Sequence, residues 1–160
     1  MLPVIRSFTA DDADWLTARH AELYARDEGF DETFGVLVAD IIAAFLASHD
    51  PTCEAGWIAQ SDAQRLGSVF CVRDGVPGCA KLRLFLIEPD ARGTGLAQMM
   101  LDTCLGFARG AGYRQIRLWT HESHRAAGRL YARNGFALVG SQSKLSFGQN
   151  VVEQFWQRDL

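Results

Sequence analysis

The stretch over residues 81–105 constrains the fold most, because a strand pattern passes there through a glycine-rich turn into a helix pattern. Every second residue from 82 to 86 is leucine, which predicts a strand with one leucine-rich face. Pro89 ends the strand. An apolar stripe at helical spacing follows, formed by Ala97, Met100, Leu101, Cys104, Leu105 and Ala108.

The turn at residues 92–97 is predicted to bind a phosphate or pyrophosphate. Unpaired backbone N–H groups gather at a helix start, where the helix dipole adds partial positive charge. Gly93 and Gly95 allow a ligand to approach the backbone closely, and Arg92 adds a positive charge. The turn lacks P-loop spacing, and Gln98 replaces the third glycine of a dinucleotide-binding turn. An ordinary strand-to-helix turn is the alternative interpretation.

Composition argues against several function classes. The length of 160 residues predicts a single domain over residues 1–160. The formal net charge of −3 argues against nucleic acid as a partner. No apolar run reaches the length of a membrane span, and the N-terminus does not resemble a signal peptide, so we expect a cytoplasmic protein with no membrane partner. The four cysteines and four histidines lack metal-site spacing, so we expect reduced thiols and no metal.

Apolar patterns along the chain predict the order β-α-α-β-β-β-α-β-α-β-β, which favours an α/β protein with a mixed sheet and helices on both faces. The three middle strands are expected to form an antiparallel meander, and the strand after the glycine-rich turn and its helix (residues 93–111) is expected to run parallel to its predecessor. Gly29 is expected to end the first helix and Gly135 the last one. The final strands are predicted at residues 136–139 and 151–158, with a polar segment at residues 140–150 between them.

Two motifs resemble those of one family. The loop carrying Arg92, Gly95 and Ala97 resembles the R/Q-x-x-G-x-G/A pyrophosphate loop of the GNAT superfamily, the acyl-CoA-dependent N-acyltransferases. The later run AGRLYARNGF resembles the second GNAT signature, N-x-x-A-x-x-L-Y-x-x-x-G-F. Its matching residues are Ala127, Leu130, Tyr131, Gly135 and Phe136, and His124 stands where the signature has Asn.

The resemblance covers the whole chain and is greatest to the acetyltransferase half of bacterial proteins that fuse a winged-helix regulator to a GNAT domain. Residues 20–45, residues 80–96 and the tail over residues 146–160 carry this similarity. The DNA-binding half has no counterpart in the sequence. We therefore expect a stand-alone enzyme to which the regulatory role does not carry over.

The resemblance implies the GNAT fold: a mixed, mostly antiparallel seven-stranded sheet, four helices on both faces, and a splayed parallel strand pair. It implies acetyl-CoA as co-substrate, with an oxyanion hole of backbone N–H groups near Leu86, a pantetheine arm along Ile87, and a pyrophosphate on the glycine loop. The implied cofactor-binding residues are Leu86, Ile87, Arg92, Gly93, Thr94, Gly95, Leu96, Ala97, His124 and Ala127. Tyr131 is implied as the general acid that protonates the departing thiolate.

The acceptor side is less constrained by the sequence. The resemblance places the segment over residues 19–34 there, with Tyr24 and Glu28 as candidate substrate contacts, and its acidic Glu28 and Asp31 are expected to attract an amine. Arg83 is expected to pair with a substrate carboxylate, which favours an amino-acid-like or small acidic amine. The general base stays open between a water wire and six side chains, which are Glu22, Glu28, Glu88, Glu122, His20 and His121.

The leading interpretation is an N-acetyltransferase that acts on a small-molecule primary amine by direct attack in a ternary complex. One alternative is a protein lysine or N-terminal acetyltransferase, which needs an open groove beside Tyr131. Another is a CoA-binding sensor with little catalysis, which the change of Asn to His124 favours slightly. A homodimer is common for such a fold, and the tail strand from Val151 is a candidate for pairing across the interface.

Overall fold

The computed structural model describes residues 2–160. Seven strands and four helices follow in the predicted order, which confirms the fold class. They are β1 (Val4–Ser7), α1 (Ala13–Glu28), α2 (Glu32–Ser48), β2 (Ala55–Ser61), β3 (Gln64–Arg73), β4 (Cys79–Ile87), α3 (Leu96–Gly110), β5 (Gln115–His121), α4 (Arg125–Arg133), β6 (Ala137–Ser146) and β7 (Gln149–Asp159). Short 3₁₀ turns over Ala10–Asp12 and Pro89–Ala91 precede α1 and α3.

The strands form one mixed sheet in the order β1-β2-β3-β4-β5-β7-β6. Strands β1 to β4 pair antiparallel, which confirms the predicted meander, and β6 pairs antiparallel with β7. Strand β5 is parallel to β4, with Cys79, Ala80 and Lys81 opposite Gln115, Ile116 and Arg117. The helix between these two strands supplies the long connection that a parallel pair requires.

The chain divides into two compact units. Unit 1 contains the chain up to Phe8, His49–Arg117 and Asp159–Leu160. Unit 2 contains Thr9–Ser48 and Leu118–Arg158. The expectation of a single domain stays a prediction.

In unit 1 the core lies between α3 and the strands β3 and β4, against which this helix packs. The predicted stripe of α3 is buried from Met100 to Ala108. The helix starts later than predicted, at Leu96, so Leu96 is buried while Ala97 is only half-buried. Gly93 and Gly95 therefore belong to the turn before the helix and not to its first residues.

The predicted leucine-rich face of β4 is wrong in part, because a bulge interrupts it. The register with β3 shifts between Ser68 and Phe70, and Leu84 has a φ of 49°. Leu82 and Leu86 are buried, whereas Leu84 is only half-buried. The Ser68 hydroxyl donates a hydrogen bond to the Leu84 carbonyl at 2.6 Å. An extra residue in one strand reverses the side-chain alternation beyond it, and a residue pattern does not reveal such an insertion.

In unit 2, α1 and α2 pack against each other as a helical hairpin. Gly29 ends α1 with a φ of 70°, which confirms the predicted break, and its N–H donates to Ala25 O at 3.0 Å. Helix α4 contacts β6. Gly135 follows α4 with a φ of 81°, as predicted.

The predicted polar segment over residues 140–150 is wrong, because strands β6 and β7 occupy almost all of it. Their ladder runs from Ala137 opposite Gln157 to Ser146 opposite Gln149, and only Phe147 and Gly148 form the turn. Nearly every residue of β6 is exposed, so this edge strand shows no apolar alternation. The strand order also places β7 between β5 and β6, so the edge is β6 and not the tail strand from Val151.

The tip of this hairpin is attached to the corner between α1 and α2. Asp31 N–H donates to Phe147 O at 2.9 Å, and Gln149 Nε2 donates to Gly29 O at 3.0 Å. These bonds hold the turn beside residues 29–31.

The cysteines are free thiols, and Cys71, Cys79 and Cys104 are buried while Cys53 is partly exposed. In residues 2–160, no group of three or more His, Cys, Asp or Glu side chains is arranged to hold a metal ion. No helix in that range is both long enough and apolar enough to span a membrane.

Candidate active site

The glycine turn of unit 1 is an exposed loop that leads into α3. Gly93 and Gly95 have φ values of 75° and 85°, a region that side chains with a Cβ rarely occupy. A Cβ placed on either glycine has no heavy atom of the described residues within 4 Å outside its chain neighbours. The Thr94 hydroxyl donates to Ala91 O at 2.5 Å and fixes the turn. Both glycines are thus required by backbone conformation, and the space above them is open.

The start of α3 has the chemistry of an anion site. The helix has 15 residues, and its first turn, which begins Leu96-Ala97-Gln98, contains no acidic side chain. The first N–H groups of a helix have no partner within the helix, and the dipole makes this end partly positive. Arg92, immediately before the two glycines, is exposed. A pyrophosphate fits this arrangement of amides, charge and open space.

The end of β4 lies close to β3. Leu86 is opposite Ser68 and Ile87 is opposite Gly67, and Glu88 N–H donates to Leu66 O at 2.8 Å. A Cβ on Gly67 would lie only 2.6 Å from the Leu86 carbonyl oxygen, so a glycine is needed for this approach. The two residues predicted to contact the thioester and pantetheine therefore lie on a firmly paired part of β4.

Arg83 carries a half-buried guanidinium on β4. No residue in the described part of the chain forms a hydrogen bond or ion pair with it. Burial lowers the pKa of this guanidinium from its ordinary value. Lys81 on the same strand lies instead 3.8 Å from Asp74, whose other oxygen lies 3.5 Å from Arg117. Arg83 is thus a cation of β4 that is available for an anionic ligand.

In unit 2, Glu28 is part of a polar network with residues that follow β5. Its Oε1 lies 3.0 Å from His124 Nε2, and its Oε2 accepts a hydrogen bond from the Ser123 hydroxyl at 2.7 Å. The other ring nitrogen of His124, Nδ1, lies 3.3 Å from the Thr120 hydroxyl oxygen. The Glu28 side chain is 13% exposed, so it presents a mostly buried carboxylate.

Four aromatic rings lie next to this network, and we call them the aromatic cluster: Tyr24, Phe30, Phe34 and Phe147. Tyr24 stacks on Phe34 with centroids 4.5 Å apart, and Phe147 lies 4.9 Å from both Phe30 and Phe34. The Tyr24 ring also lies 5.1 Å from the His124 ring. Phe30 and Phe34 are buried, whereas Tyr24 and Phe147 are partly exposed.

Two buried imidazoles contact the aromatic cluster. The His20 ring lies 5.9 Å from Tyr24, and the His121 ring lies 5.3 Å from Phe30. His20 Nδ1 lies 2.9 Å from Leu16 O, and burial lowers the pKa of His20 to about 4. Burial also lowers the pKa of His121. Within the described residues, Nε2 of each ring is buried without a hydrogen-bond partner.

Tyr131 lies on α4 and is 4% exposed. Its ring lies 5.5 Å from Phe136 and 6.1 Å from Trp156. The left-handed Gly135 turns the chain so that Phe136 N–H donates to Tyr131 O at 3.0 Å. Ala127 is half-buried on the same helix. The second motif is therefore a short helix, and the glycine that follows it sets the direction of the next residues.

Residues 13–136 match the acetyltransferase (GNAT) family. The chain belongs to this family. Among curated GNAT relatives, N-acetyltransferase 8F1 of Rattus norvegicus is 32% identical over 124 residues, which cover 75% of this chain and 51% of that protein. Mycothiol acetyltransferase of Geodermatophilus obscurus is 36% identical over 85 residues, which cover 53% of this chain and 24% of that protein. The chain thus spans about half the length of the first of these relatives.

The GNAT fold is also found in solved structures. A Salmonella typhimurium protein, whose structure contains its cofactor acetyl-CoA, superposes with a TM-score of 0.79 and 16% identity. The match covers 100% of this chain and 95% of that one. GNAT enzymes use acetyl-CoA, in keeping with the open glycine turn described above.

In this GNAT chain the predicted site residues fall into two groups. The cofactor loop, Leu86, Ile87 and Arg83 lie in unit 1, and Tyr24, Glu28, His124, Ala127 and Tyr131 lie in unit 2. The direct pairing of Glu28 with His124 was not predicted from the sequence, which assigned one to the acceptor and the other to pantetheine.

Sequence reasoning missed Thr120, Ser123 and Phe147. The first two belong to a polar run that spans the end of β5, Thr-His-Glu-Ser-His, and the clustering of such residues at a strand end is a usable signal. Phe147 lay inside the segment predicted as a polar loop, so no site role was predicted for it. Among the candidate bases, Glu122 is exposed, and the Glu22 side chain is 69% exposed and paired with Arg19.

Proposed function

We propose that the chain is an N-acetyltransferase that moves an acetyl group from acetyl-CoA to the primary amine of a small molecule. The observation that carries this proposal is the open turn with left-handed Gly93 and Gly95 at the start of α3, in a chain of the GNAT family. Acetyl-CoA supplies the activated acetyl group. Reaction by direct attack needs no acyl-enzyme, because holding both reactants in place supplies much of the rate.

Backbone groups of unit 1 hold the cofactor in this proposal. The amides of Leu96, Ala97 and the turn before them bind the pyrophosphate, and Arg92 adds charge. The backbone of Ile87 pairs with the pantetheine arm, and N–H groups near Leu86 stabilise the oxyanion that develops on the thioester oxygen. The tight pairing of this part of β4 with β3 supports the second role, because such donors act best when fixed in advance.

The polar network of unit 2 binds the acceptor amine. Glu28 supplies a negative charge, and the partly exposed Tyr24 lies beside this network, against the His124 ring. The aromatic cluster favours an acceptor with an apolar portion near its amine. Ala127 and His124 contact the pantetheine arm in this proposal, as the family resemblance implies.

Arg83 adds a preference for acceptors that carry a carboxylate. A half-buried guanidinium without a protein partner is costly, and a bidentate carboxylate satisfies it. An amino acid or a related small acidic amine is therefore the preferred substrate class.

Tyr131 is the proposed general acid that protonates the departing thiolate. Its burial keeps the phenol in one orientation. Removal of the hydroxyl in Tyr131→Phe should lower kcat roughly 100-fold or more, with little change in the KM for acetyl-CoA. Tyr113→Phe is the matched control, because that hydroxyl donates to Cys53 O at 2.7 Å in unit 1 and plays no part in the proposed chemistry.

The test is a screen of primary amines with acetyl-CoA in which free thiol is measured. The panel contains amino acids, their decarboxylated counterparts, polyamines and lysine-containing peptides. Acetylation of small amines supports the proposal. A marked preference for peptides would favour a protein acetyltransferase instead. Binding of CoA by calorimetry without thiol release from any amine would favour a CoA sensor and reject the enzyme.

Two finer proposals concern the whole protein. The similarity of residues 20–45, 80–96 and 146–160 to the acetyltransferase half of winged-helix/GNAT fusion proteins stays a prediction. A homodimer, if formed through strand pairing, would use β6, which is the edge strand. Sedimentation of the protein with and without Val139→Lys on that strand tests this dimer.

A further inference from the structure

His121 is the last residue of β5 and lies in unit 2. Its side chain is 3% exposed, and its ring is surrounded by the edges or faces of Phe30, Trp119 and His124 at centroid distances of 5.3, 5.5 and 5.6 Å. The Nε2 atom of this ring has no hydrogen-bond partner among residues 2–160. A buried polar atom without a partner costs about 1–3 kcal/mol, so its presence calls for an explanation, such as a catalytic role or an ordered water.

The charges that face His121 come from three elements. Glu28 at the end of α1 and Glu153 on β7 favour the protonated ring, and His124 before α4 opposes it. Burial is the largest effect, and the pKa of His121 is lowered from 6.5. The ring is therefore neutral at neutral pH and has a lone pair available to accept a proton.

We propose that His121 is the general base that takes a proton from the acceptor's ammonium group. The inference rests on the proposed function and names the base of that reaction. The ammonium donates its proton to the neutral imidazole, which becomes imidazolium. The freed nitrogen lone pair then forms the N–C bond to the thioester carbonyl carbon, the C–S bond breaks, and CoA leaves as the thiolate. The second nitrogen proton is lost to solvent, and the thiolate receives its proton from Tyr131.

The neighbouring groups fit this base less well. Both carboxylate oxygens of Glu28 are held, by His124 and Ser123, which suits a fixed ammonium-binding charge. Each ring nitrogen of His124 lies near a protein atom, in Glu28 or Thr120. His20 also has a buried Nε2, but with a pKa of about 4 it is too weak a base for an amine.

The first test compares wild type with His121→Gln over pH 6–9.5, using phenylalanine and 2-phenylethylamine as acceptors. Wild type should reach a plateau of kcat/KM near neutral pH, because the enzyme deprotonates the bound ammonium. The variant can use only free amine, so its kcat/KM should rise tenfold per pH unit towards the pKa of the amine. At pH 7.5 the loss should be roughly 100- to 10,000-fold, and it should shrink at high pH.

His49→Gln is the matched control, since that imidazole lies at the start of unit 1's long segment His49–Arg117 and has no role in the proposed chemistry. It should keep the wild-type pH profile. If His121→Gln retains both the plateau and a kcat within threefold of wild type, His121 is not the base.

The second test uses folded wild-type protein and so does not depend on the variant. With ¹⁵N-labelled histidine, the four ring signals are assigned through variants at the other three histidines. Addition of 2-phenylethylamine in the presence of CoA should shift the His121 Nε2 resonance. A shift confined to His124 would overturn the proposal. If wild type transferred acetyl to none of the amines, the proposed function would be rejected instead. The NMR titration would still decide whether a ligand binds at His121.

Discussion

The Oε1 atom of Glu28, the last residue of α1, lies 3.0 Å from Nε2 of His124, which directly precedes α4. This contact joins two segments that the sequence places far apart and gives unit 2 a mostly buried negative charge. Glu28→Gln should raise the KM for amines roughly 10- to 100-fold, because it removes the charge that we propose binds the ammonium. The affinity for CoA should not change, as calorimetry would show.

Glu32→Gln provides the control for that substitution. Glu32 is exposed and begins α2, so loss of its charge should affect only stability, and only slightly. Equal KM values for Glu28→Gln and wild type would show that the network has a structural role alone.

The glycine turn yields a second prediction. Gly95→Ala forces a residue with a Cβ into a left-handed conformation, which should cost about 1–2 kcal/mol of unfolding free energy. There is open space around that Cβ, so the cost is conformational and not a steric clash. Because relaxation of the turn misplaces the amides that we propose bind pyrophosphate, the affinity for CoA should fall at least tenfold in a calorimetric titration.

Gly106→Ala is the matched control for the turn. Gly106 lies inside α3, also with open space around an added Cβ, but without a positive φ. This change should stabilise the protein by about 0.5–1 kcal/mol and leave CoA binding unaltered. Similar effects of the two substitutions on CoA affinity would contradict the pyrophosphate role of the turn.

The free cation of β4 yields a third prediction. Arg83→Met should raise the KM for phenylalanine at least tenfold and leave the KM for 2-phenylethylamine nearly unchanged, since the two acceptors differ by a carboxylate. Lys81→Met, which removes a cation already close to Asp74, should affect both acceptors equally. Unchanged KM values for all carboxylated amines would reject the role of Arg83 in substrate binding.

His20 yields a prediction about acid stability. The pKa of His20 is about 4 in the folded chain, whereas an ordinary histidine has a pKa of 6.5. Between these values the unfolded chain therefore binds a proton that the folded chain does not bind. The contribution of the neutral His20 ring to the free energy of unfolding is fully present above pH 6.5. It is lost as the pH falls towards about 4, by about 1.4 kcal/mol per pH unit. Urea unfolding at successive pH values should show this slope, and His20→Gln should reduce it. An equal slope in the variant would exclude His20 as its cause.

The order of elements and the glycine turn before α3 were predictable from the sequence for physical reasons. Alternation and helical spacing report which face of an element is buried, and glycines mark conformations that other residues avoid. Gly29, Gly95 and Gly135 all have the positive φ expected of such positions. The parallel placement of β5 followed from the helix that precedes it.

Features that depend on partners distant in the chain were not predictable. The bulge at Leu84 leaves the leucine pattern of β4 intact, and only the register with β3 reveals it. Strand β6 is an exposed edge whose apolar residues, Leu138, Val139 and Leu145, do not alternate with polar ones, so its backbone pairing with β7 gives no apolar signal. The contact between Glu28 and His124 likewise depends on how α1 meets the residues after β5.

The attachment of the β6–β7 tip to the α1–α2 corner has a consequence for engineering. Residues 147–148 would ordinarily be chosen to accept a tag or an inserted peptide, since tight surface turns tolerate added length. Here Asp31 and Gln149 fasten that turn to the corner that carries Phe30. Lengthening it would therefore loosen the aromatic cluster around Phe30, so a graft placed there would disturb the acceptor side that we propose for this cluster rather than remain a passive appendage.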